Sequence, residues 1–206
     1  MKRVYPEGAA IKIETQKMRT TTGKDMREAS SPSFFNPAEI VTVVGLVEQL
    51  LGEGVEAGRI GVITPYRKQT LKIRDRLPSG VMVGTTEDFQ GQERDAVILS
   101  TVRSSQEYLP LDGIHKLGFL ANVRRFNVAI TRARSLLCVV GNPYILSLDA
   151  CWNALLTYAV EKGCYTGCPF DPGNGENLGM ASSPSLTVQP EIGNERAEEQ
   201  MWASKT

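Results

Sequence analysis

The sequence lacks the marks of several protein classes. No stretch approaches the roughly 20 apolar residues of a transmembrane helix, and Met1-Lys2-Arg3 is not followed by the apolar run of a signal peptide. Neither a G-x-x-x-x-G-K-[ST] phosphate loop nor a G-x-G-x-x-G turn occurs. A dinucleotide-binding oxidoreductase needs the second motif after its first strand, so its absence argues against that class. We predict a soluble, cytoplasmic protein without a membrane partner.

The sequence is also poor in metal ligands. It has four cysteines and a single histidine, His115. Cys164 and Cys168 form a C-x3-C pair, but no second pair accompanies them. Structural zinc sites normally need four ligands, and the sequence offers no second pair to complete them, so we predict reduced structural thiols and no metal site.

The protein has no net charge that would create an overall electrostatic field, because 23 basic residues balance 23 acidic ones in the 206-residue sequence. A nucleic-acid site would therefore depend on local placement of charge. The length and the 41% hydrophobic content suit one sizeable core. We predict a lead-in over 1–30, strand-like near 9–13 or partly disordered, one domain over 31–171 and a disordered tail over 172–206.

Hydrophobic periodicity predicts alternating strands and helices. Asn36 is a good helix N-cap, Pro37 suits the first helical position, and Glu39 is placed to complete a capping box. The predicted helices are 37–51, 64–77, 120–134 and 149–162, and the predicted strands are 59–63, 81–83, 96–102 and 136–140. This alternation predicts an α/β fold with a parallel sheet covered by helices on both faces.

Polar residues follow the predicted strands. Thr64, Thr85, Arg103 and Asn142 each come at or just after a strand end. The carboxyl ends of parallel strands lie together and collect ligands, so we expect these residues to line one edge.

Two segments carry side chains that a core would not require. In the predicted helix 120–134, Arg125 and Arg132 lie on a stripe beside the apolar face and could grip one shared anion, or could be solvated surface arginines. In the loop 85–93, Thr85 could contact a nucleic-acid phosphate, and Gln90 and Glu93 could bond a ribose. Gly91 is free to take positive φ. The loop could equally be an ordinary connection.

Thr64-Pro65-Tyr66 places a hydroxyl and free amides at a predicted helix N-terminus, which is a natural anion site. Tyr66 could stack on a base or pack in the core.

Three segments together resemble the later motifs of superfamily 1 helicases of the nonsense-mediated-decay type. Gly61–Gln69 resembles motif IV, Gly84–Glu93 motif V and Arg124–Arg134 motif VI, in the family's order and spacing. Further segments resemble the branch that contains Armitage, the Moloney-leukaemia-virus-ten helicases and the plant silencing-defective helicases, above all Ser31–Pro37 and Gly163–Phe170.

The resemblance implies roles for individual residues. Arg132 matches the arginine finger of motif VI and is the predicted catalytic residue. Glu93 matches the acid that contacts the nucleotide sugar, and Arg125 is a supporting basic residue. We group Gln90 and Gly91 with them as nucleotide-binding residues. The predicted nucleic-acid contacts are Thr85, Thr64 and Tyr66. Among them, Thr85 matches the motif V hydroxyl that contacts the RNA backbone.

The expected function is that of a second RecA-like, P-loop-NTPase-type domain in an ATP-dependent RNA helicase. The resemblance implies ATP and Mg²⁺ as ligands of the complete enzyme, single-stranded RNA and an N-terminal RecA-like domain as partners, 5′-to-3′ movement and association with RNA-silencing proteins. Because these 206 residues hold no phosphate loop or magnesium ligands, we expect a fragment that is inactive alone. The alternative is a non-catalytic RNA- or protein-binding remnant.

Overall fold

The computed structural model describes residues 25–27, 33–104 and 122–171, together with the backbone of 12–15. The strands are β1 Lys12–Thr15, β2 Met26–Arg27, β3 Phe34–Phe35, β4 Ile60–Ile63, β5 Met82–Gly84, β6 Arg94–Ser100 and β7 Ala133–Val140. The helices are α1 Pro37–Gly52, α2 Arg67–Arg74, α3 Val123–Ile130, α4 Pro143–Leu146 and α5 Ala150–Glu161. The predicted tail 172–206 and most of the lead-in 1–30 lie outside the described residues.

Five strands form one sheet in the order β1-β7-β6-β4-β5, and every neighbouring pair is parallel. Ile98 of β6 pairs with Val62 of β4 on one side and with Cys138 of β7 on the other. The strands β2 and β3 form a separate antiparallel pair. The predicted parallel α/β architecture is confirmed.

Both faces of the sheet are buried, as the apolar strands require. Along β6, Ala96 and Ile98 join the core on one face, and Val97 and Leu99 join the core on the other. The helices α1 and α2 contribute Val43, Val47 and Ile73 to the first core. The helices α3 and α5 contribute Ala129, Trp152 and Leu156 to the second.

At the N-terminus of α1, the predicted N-cap at Asn36 is confirmed, but the predicted capping box at Glu39 is wrong. Asn36 Oδ1 accepts hydrogen bonds from the backbone N–H groups of Ala38 (3.1 Å) and Glu39 (3.2 Å). Glu39 does not complete a capping box, because the N–H of Asn36 donates to Gln69 Oε1 at 2.9 Å. The carboxyl group of Glu39 instead turns into the protein, where its residue is 1% exposed.

The predicted helix 120–134 is too long. Asn122 caps α3, the helix ends at Ile130, and the hydroxyl of Thr131 bonds back to the carbonyl of Asn127 at 2.8 Å. The chain then extends, since Ala133 pairs with Arg94 of β6. Consequently Arg132 lies in the turn between α3 and β7, and the predicted stripe of Arg125 and Arg132 on one helix is wrong.

The predicted helix 64–77 is also shorter than expected. Tyr66 occupies the N-cap position of α2, without a capping side-chain bond, and the helix ends at Arg74. Thr64 and Pro65 therefore belong to the connection that leaves β4, rather than to the helix.

Candidate functional site

The predicted site residues divide between two ends of the sheet. Thr64, Thr85 and Asn142 follow β4, β5 and β7, so they lie at the carboxyl ends of the parallel strands. We call this end the carboxyl edge. Glu93 and Arg132 immediately precede β6 and β7, so they lie at the opposite end, the amino edge.

The segment Thr85–Glu93 connects these two edges across one face of the sheet. Its anchor is Phe89, whose residue is fully buried among the side chains of that face. Gly61 of β4 makes room for the ring, because a Cβ at this position would lie 2.7 Å from Phe89 Cε1. Phe89 therefore anchors the segment to the sheet, while six of its nine residues are exposed. Its ligand contacts stay a prediction.

At the amino edge, Glu93 is held by an arginine that the sequence interpretation did not assign. Arg134 Nε donates to Glu93 Oε2 at 3.1 Å, and the two side chains are 63% and 44% exposed. Gln90 and Gly91, which come shortly before Glu93 in the sequence, are both exposed. Gly91 has φ 72°. Positive φ favours glycine, so Gly91 shapes the turn that brings the chain to Glu93.

Arg132 is half-buried at the same edge and retains donors for a ligand. Its Nε donates to the carbonyl of Val128 and its Nη2 to the hydroxyl of Thr131, both at 3.2 Å. A guanidinium group carries five N–H donors, so these two bonds orient the side chain without using all of its donors. Such a fixed, partly satisfied fork suits an anion.

The structure does not bring Arg125 to a site shared with Arg132. Arg125 lies in the first turn of α3, whereas Arg132 follows its last turn, and an α-helix rises about 1.5 Å per residue. Arg125 Nε donates to Glu87 Oε1 at 2.8 Å. The arginine thus links α3 to the segment Thr85–Glu93, and its nucleotide contact stays a prediction.

At the carboxyl edge, Thr85 is engaged by an aspartate. Its hydroxyl and its backbone N–H donate to Asp88 Oδ2 at 3.1 and 2.7 Å. To contact a phosphate, the hydroxyl of Thr85 must give up its hydrogen bond to Asp88 and donate to the phosphate instead. The negative charge of Asp88 also opposes the approach of a phosphate. Asp88 therefore competes with a phosphate for the hydroxyl of Thr85, and the predicted RNA contact stays a prediction.

The other two predicted nucleic-acid residues differ in access. Thr64 is completely buried, and its hydroxyl has no hydrogen-bond partner among the described residues. Its side chain does not reach a ligand in this conformation. Tyr66 is half-buried and contacts Phe34 edge-on, with 5.8 Å between the ring centroids. Neither ring belongs to the two hydrophobic cores, so stacking of Tyr66 on a base stays a prediction.

Behind the carboxyl edge lies a buried polar cluster, which we define as Asn36, Glu39, Gln69 and Ser100. Ser100 Oγ donates to Glu39 Oε2 at 2.6 Å and accepts from Gln69 Nε2 at 3.0 Å. Burial raises the pKa of Glu39 to about 7, although the bonds from Ser100 and Val102 oppose the shift. The polar ending of an apolar strand, at Ser100, was the signal in the sequence that could have located this cluster.

Two further observations concern only the described part of the chain. Within residues 25–27, 33–104 and 122–171, no group of three or more histidine, cysteine, aspartate or glutamate side chains is placed to hold a metal ion. None of the described helices is both long and apolar enough to cross a membrane.

Comparison with known proteins agrees with this arrangement of motifs. The family described as "AAA domain" matches residues 6–144. The human protein named RNA helicase Mov10l1 is 46% identical over 179 residues, which cover 82% of this chain and 15% of that protein. The Drosophila melanogaster protein named Probable RNA helicase armi is 41% identical over 150 residues, covering 71% of this chain and 13% of that protein.

A third relative lies in another branch. The Arabidopsis thaliana protein named Regulator of nonsense transcripts 1 homolog is 38% identical over 159 residues, covering 72% of this chain and 12% of that protein. The chain thus spans about 12–15% of the length of these three relatives. It belongs to this AAA-domain family, among the superfamily 1 helicases of the nonsense-mediated-decay type that its motifs resemble.

Proposed function

We propose that this chain is the second RecA-like half of an ATP-dependent RNA helicase motor. Its amino edge contacts the nucleotide through Arg132 and Glu93, and its carboxyl edge contacts single-stranded RNA near Thr85 and Tyr66. The observation that carries the proposal is the partly satisfied guanidinium group of Arg132, fixed beside β6 and β7 at the edge that also presents Glu93.

The residues of the amino edge fit part of a nucleotide. Arg132 would neutralise charge on a phosphate group, and Glu93 would accept hydrogen bonds from ribose hydroxyls once Arg134 shares it. Bound ATP supplies the phosphoryl group that is transferred to water. No role is assigned to the described residues in holding Mg²⁺, because they provide no cluster of ligands for it.

The segment Thr85–Glu93 gives the proposal a physical link between its two ligands. One end of the segment lies at the carboxyl edge and the other at the amino edge, while Phe89 fixes its centre. A movement of the Thr85 end on binding RNA would reach Glu93 only if the Phe89 ring moved with it. The 5′-to-3′ direction, a cytoplasmic location and a role in RNA silencing remain predictions from the motifs.

The proposal is tested by joining the chain to the first RecA-like domain of a relative, such as human Mov10l1, and measuring RNA-stimulated ATP hydrolysis. We expect the 206-residue chain alone to be inactive and the fusion to be active. Replacing Arg132 by alanine should lower kcat of the fusion by about 10³-fold or more, as arginine fingers do in phosphoryl transfer.

Arg124→Ala is the matched control, because Arg124 is exposed in the first turn of α3. It should leave kcat within a few-fold of the parent fusion. Strong ATPase activity of the chain alone would contradict the half-motor proposal. RNA binding by a fusion that never hydrolyses ATP would favour the alternative, an RNA-binding remnant.

A further inference from the structure

The chain leaves β6 through a strained turn. Val102 has φ 70°, and the N–H of Arg103 donates to the carbonyl of Thr101 at 2.8 Å. A bond between residues two apart around a positive φ defines a γ-turn of the rare, strained type. Left-handed conformations cost about 1–3 kcal/mol, and a β-branched valine is among the residues least suited to them.

The buried polar cluster holds this turn by both polar groups of its central residue. The N–H of Val102 donates to Glu39 Oε2 at 2.9 Å, and the carbonyl of Val102 accepts from Asn36 Nδ2 at 3.1 Å. Asn36 Nδ2 also lies 3.0 Å from Ser104 Oγ, on the far side of the turn. Two side chains from the start of α1 thus fix the backbone of Val102.

The turn is connected to the proposed RNA contact by packed side chains. Arg103, which is fully buried, lies with its guanidinium carbon 4.5 Å from the centroid of the Phe34 ring. Phe34 in turn contacts Tyr66. A second connection runs through Gln69 on α2, which bonds both Ser100 and the N–H of Asn36. Two routes of contacts thus join the turn to Tyr66, one through Phe34 and one through Gln69 on α2, whose N-cap position Tyr66 occupies.

The protonation state of Glu39 affects this hold. Burial, with a smaller contribution from the like charge of Asp25, raises the pKa of its carboxyl group to about 7. The neighbouring group from α2, Gln69, is uncharged. Asp25 itself faces Arg103, with 3.5 Å between Arg103 Nε and Asp25 Oδ2. If the turn opens and water reaches Glu39, its pKa falls toward 4.5, so the closed turn binds the proton more tightly. The closed turn is consequently favoured at low pH and weakened as the pH rises toward about 7.

We propose that Glu39 is a positioning residue for RNA binding: it holds the strained turn at Val102, and the turn keeps Tyr66 in the position that RNA contacts. The proposal rests on the proposed function for its RNA contact. Its structural part, the hold of Glu39 on the turn, stands on the contacts of Val102 alone.

The test uses the whole 206-residue chain and two measurements. One is the affinity for a short fluorescein-labelled oligouridine, and the other is the amide-exchange protection of Val102 and Arg103, both from about pH 5.5 to about pH 8.5. The variants are Glu39→Gln, which keeps an acceptor oxygen but cannot ionise, and Glu39→Ala, which removes the acceptor. Glu48→Gln is the control, since Glu48 is an exposed glutamate of the same helix.

For the parent chain, we expect protection and affinity to fall together as the pH rises through about 7. Glu39→Gln should show neither decrease, and Glu48→Gln should behave as the parent. Glu39→Ala should bind about tenfold more weakly at low pH, the equivalent of one lost hydrogen bond, with low protection throughout.

The proposal is overturned if Glu39→Gln keeps the pH profile of the parent, or if protection changes while affinity does not, because Glu39 would then be merely structural. A parent chain that binds no oligouridine at any pH contradicts the RNA contact of the proposed function. The exchange measurement still decides whether Glu39 holds the turn.

Discussion

The two edges of the sheet are built in opposite ways. At the amino edge, Glu93 and Arg134 form an ion pair in which both side chains are largely exposed. At the carboxyl edge, Glu39, Gln69 and Ser100 bond one another with almost no exposure. Exposed pairs contribute about 0–1 kcal/mol and exchange partners easily, whereas buried polar groups must keep theirs. The groups proposed to bind a nucleotide are therefore free to change partners, and the buried groups behind the carboxyl edge fix the shape of that edge.

The comparison is tested most strongly by removing one acid from each edge. Glu39→Ala leaves the hydroxyl of Ser100 and the N–H of Val102 without an acceptor, and each unsatisfied buried donor costs about 1–3 kcal/mol. We expect urea unfolding at about pH 5.5 to show a loss of about 3 kcal/mol, against less than about 0.5 kcal/mol for Glu93→Ala. Equal losses would mean that the edges do not differ as described.

The pH dependence of stability follows from the same acid. Because the folded-state pKa of Glu39 is raised from 4.5 to about 7, the folded protein binds the proton more tightly than the unfolded chain. Its contribution to stability is thus complete below about pH 4.5 and is lost as the pH rises to about 7. Each unit of the shift corresponds to about 1.4 kcal/mol.

This prediction is measured as the difference in free energy of unfolding between the parent chain and Glu39→Gln, followed across pH. The difference should change by roughly 2–3 kcal/mol between about pH 5 and about pH 8, in the direction that favours the parent at low pH. A difference that is constant with pH would show that Glu39 has an ordinary pKa.

Glycine substitutions compare a strained valine with a relaxed one. Val102 and Val97 are both completely buried, but only Val102 has positive φ. Glycine loses the buried side chain at either position, yet at position 102 it also relieves about 1–3 kcal/mol of backbone strain. Val102→Gly should therefore destabilise by about 2 kcal/mol less than Val97→Gly in thermal or urea unfolding. Equal destabilisation would argue against strain in the turn.

Sequence pattern was sufficient to locate the strands β4 to β7 and the helices α1, α2, α3 and α5, although α2 and α3 are shorter than predicted. The apolar runs over 96–102 and 136–140 became β6 and β7, because strands buried on both faces leave a continuous apolar signal. The cap at Asn36 was equally readable from local chemistry. The three motifs also led to the family, since their order along the chain survives in the sequence itself.

The site could be predicted only in part, because it depends on contacts between distant residues. The bond from Val102 to Glu39 joins positions 63 residues apart, and that from Arg134 to Glu93 joins positions 41 apart. The capping-box pattern at Glu39 was misleading, because the N–H of Asn36 donates to Gln69 rather than to Glu39. The carboxyl group of Glu39 is therefore available for other contacts and is buried. Likewise, the helical stripe of Arg125 and Arg132 ignored the pairing of Ala133 with β6, which ends the helix early.

The smallest expected effect concerns Arg134, and it separates the roles of the arginines at the amino edge. Arg134→Ala removes a largely exposed ion pair, so the free energy of unfolding should change by less than about 0.5 kcal/mol. In the fusion with a first RecA-like domain, the variant leaves the carboxylate of Glu93 unoriented. Poorer orientation of a ribose contact weakens binding rather than chemistry, so KM for ATP should rise a few-fold while kcat stays close to the parent value. Arg59→Ala is a matched control, because Arg59 pairs with Asp95 and is also largely exposed. A fall in kcat comparable to that of Arg132→Ala would place Arg134 among the catalytic residues, and an unchanged KM would remove the proposed role of the Arg134–Glu93 pair.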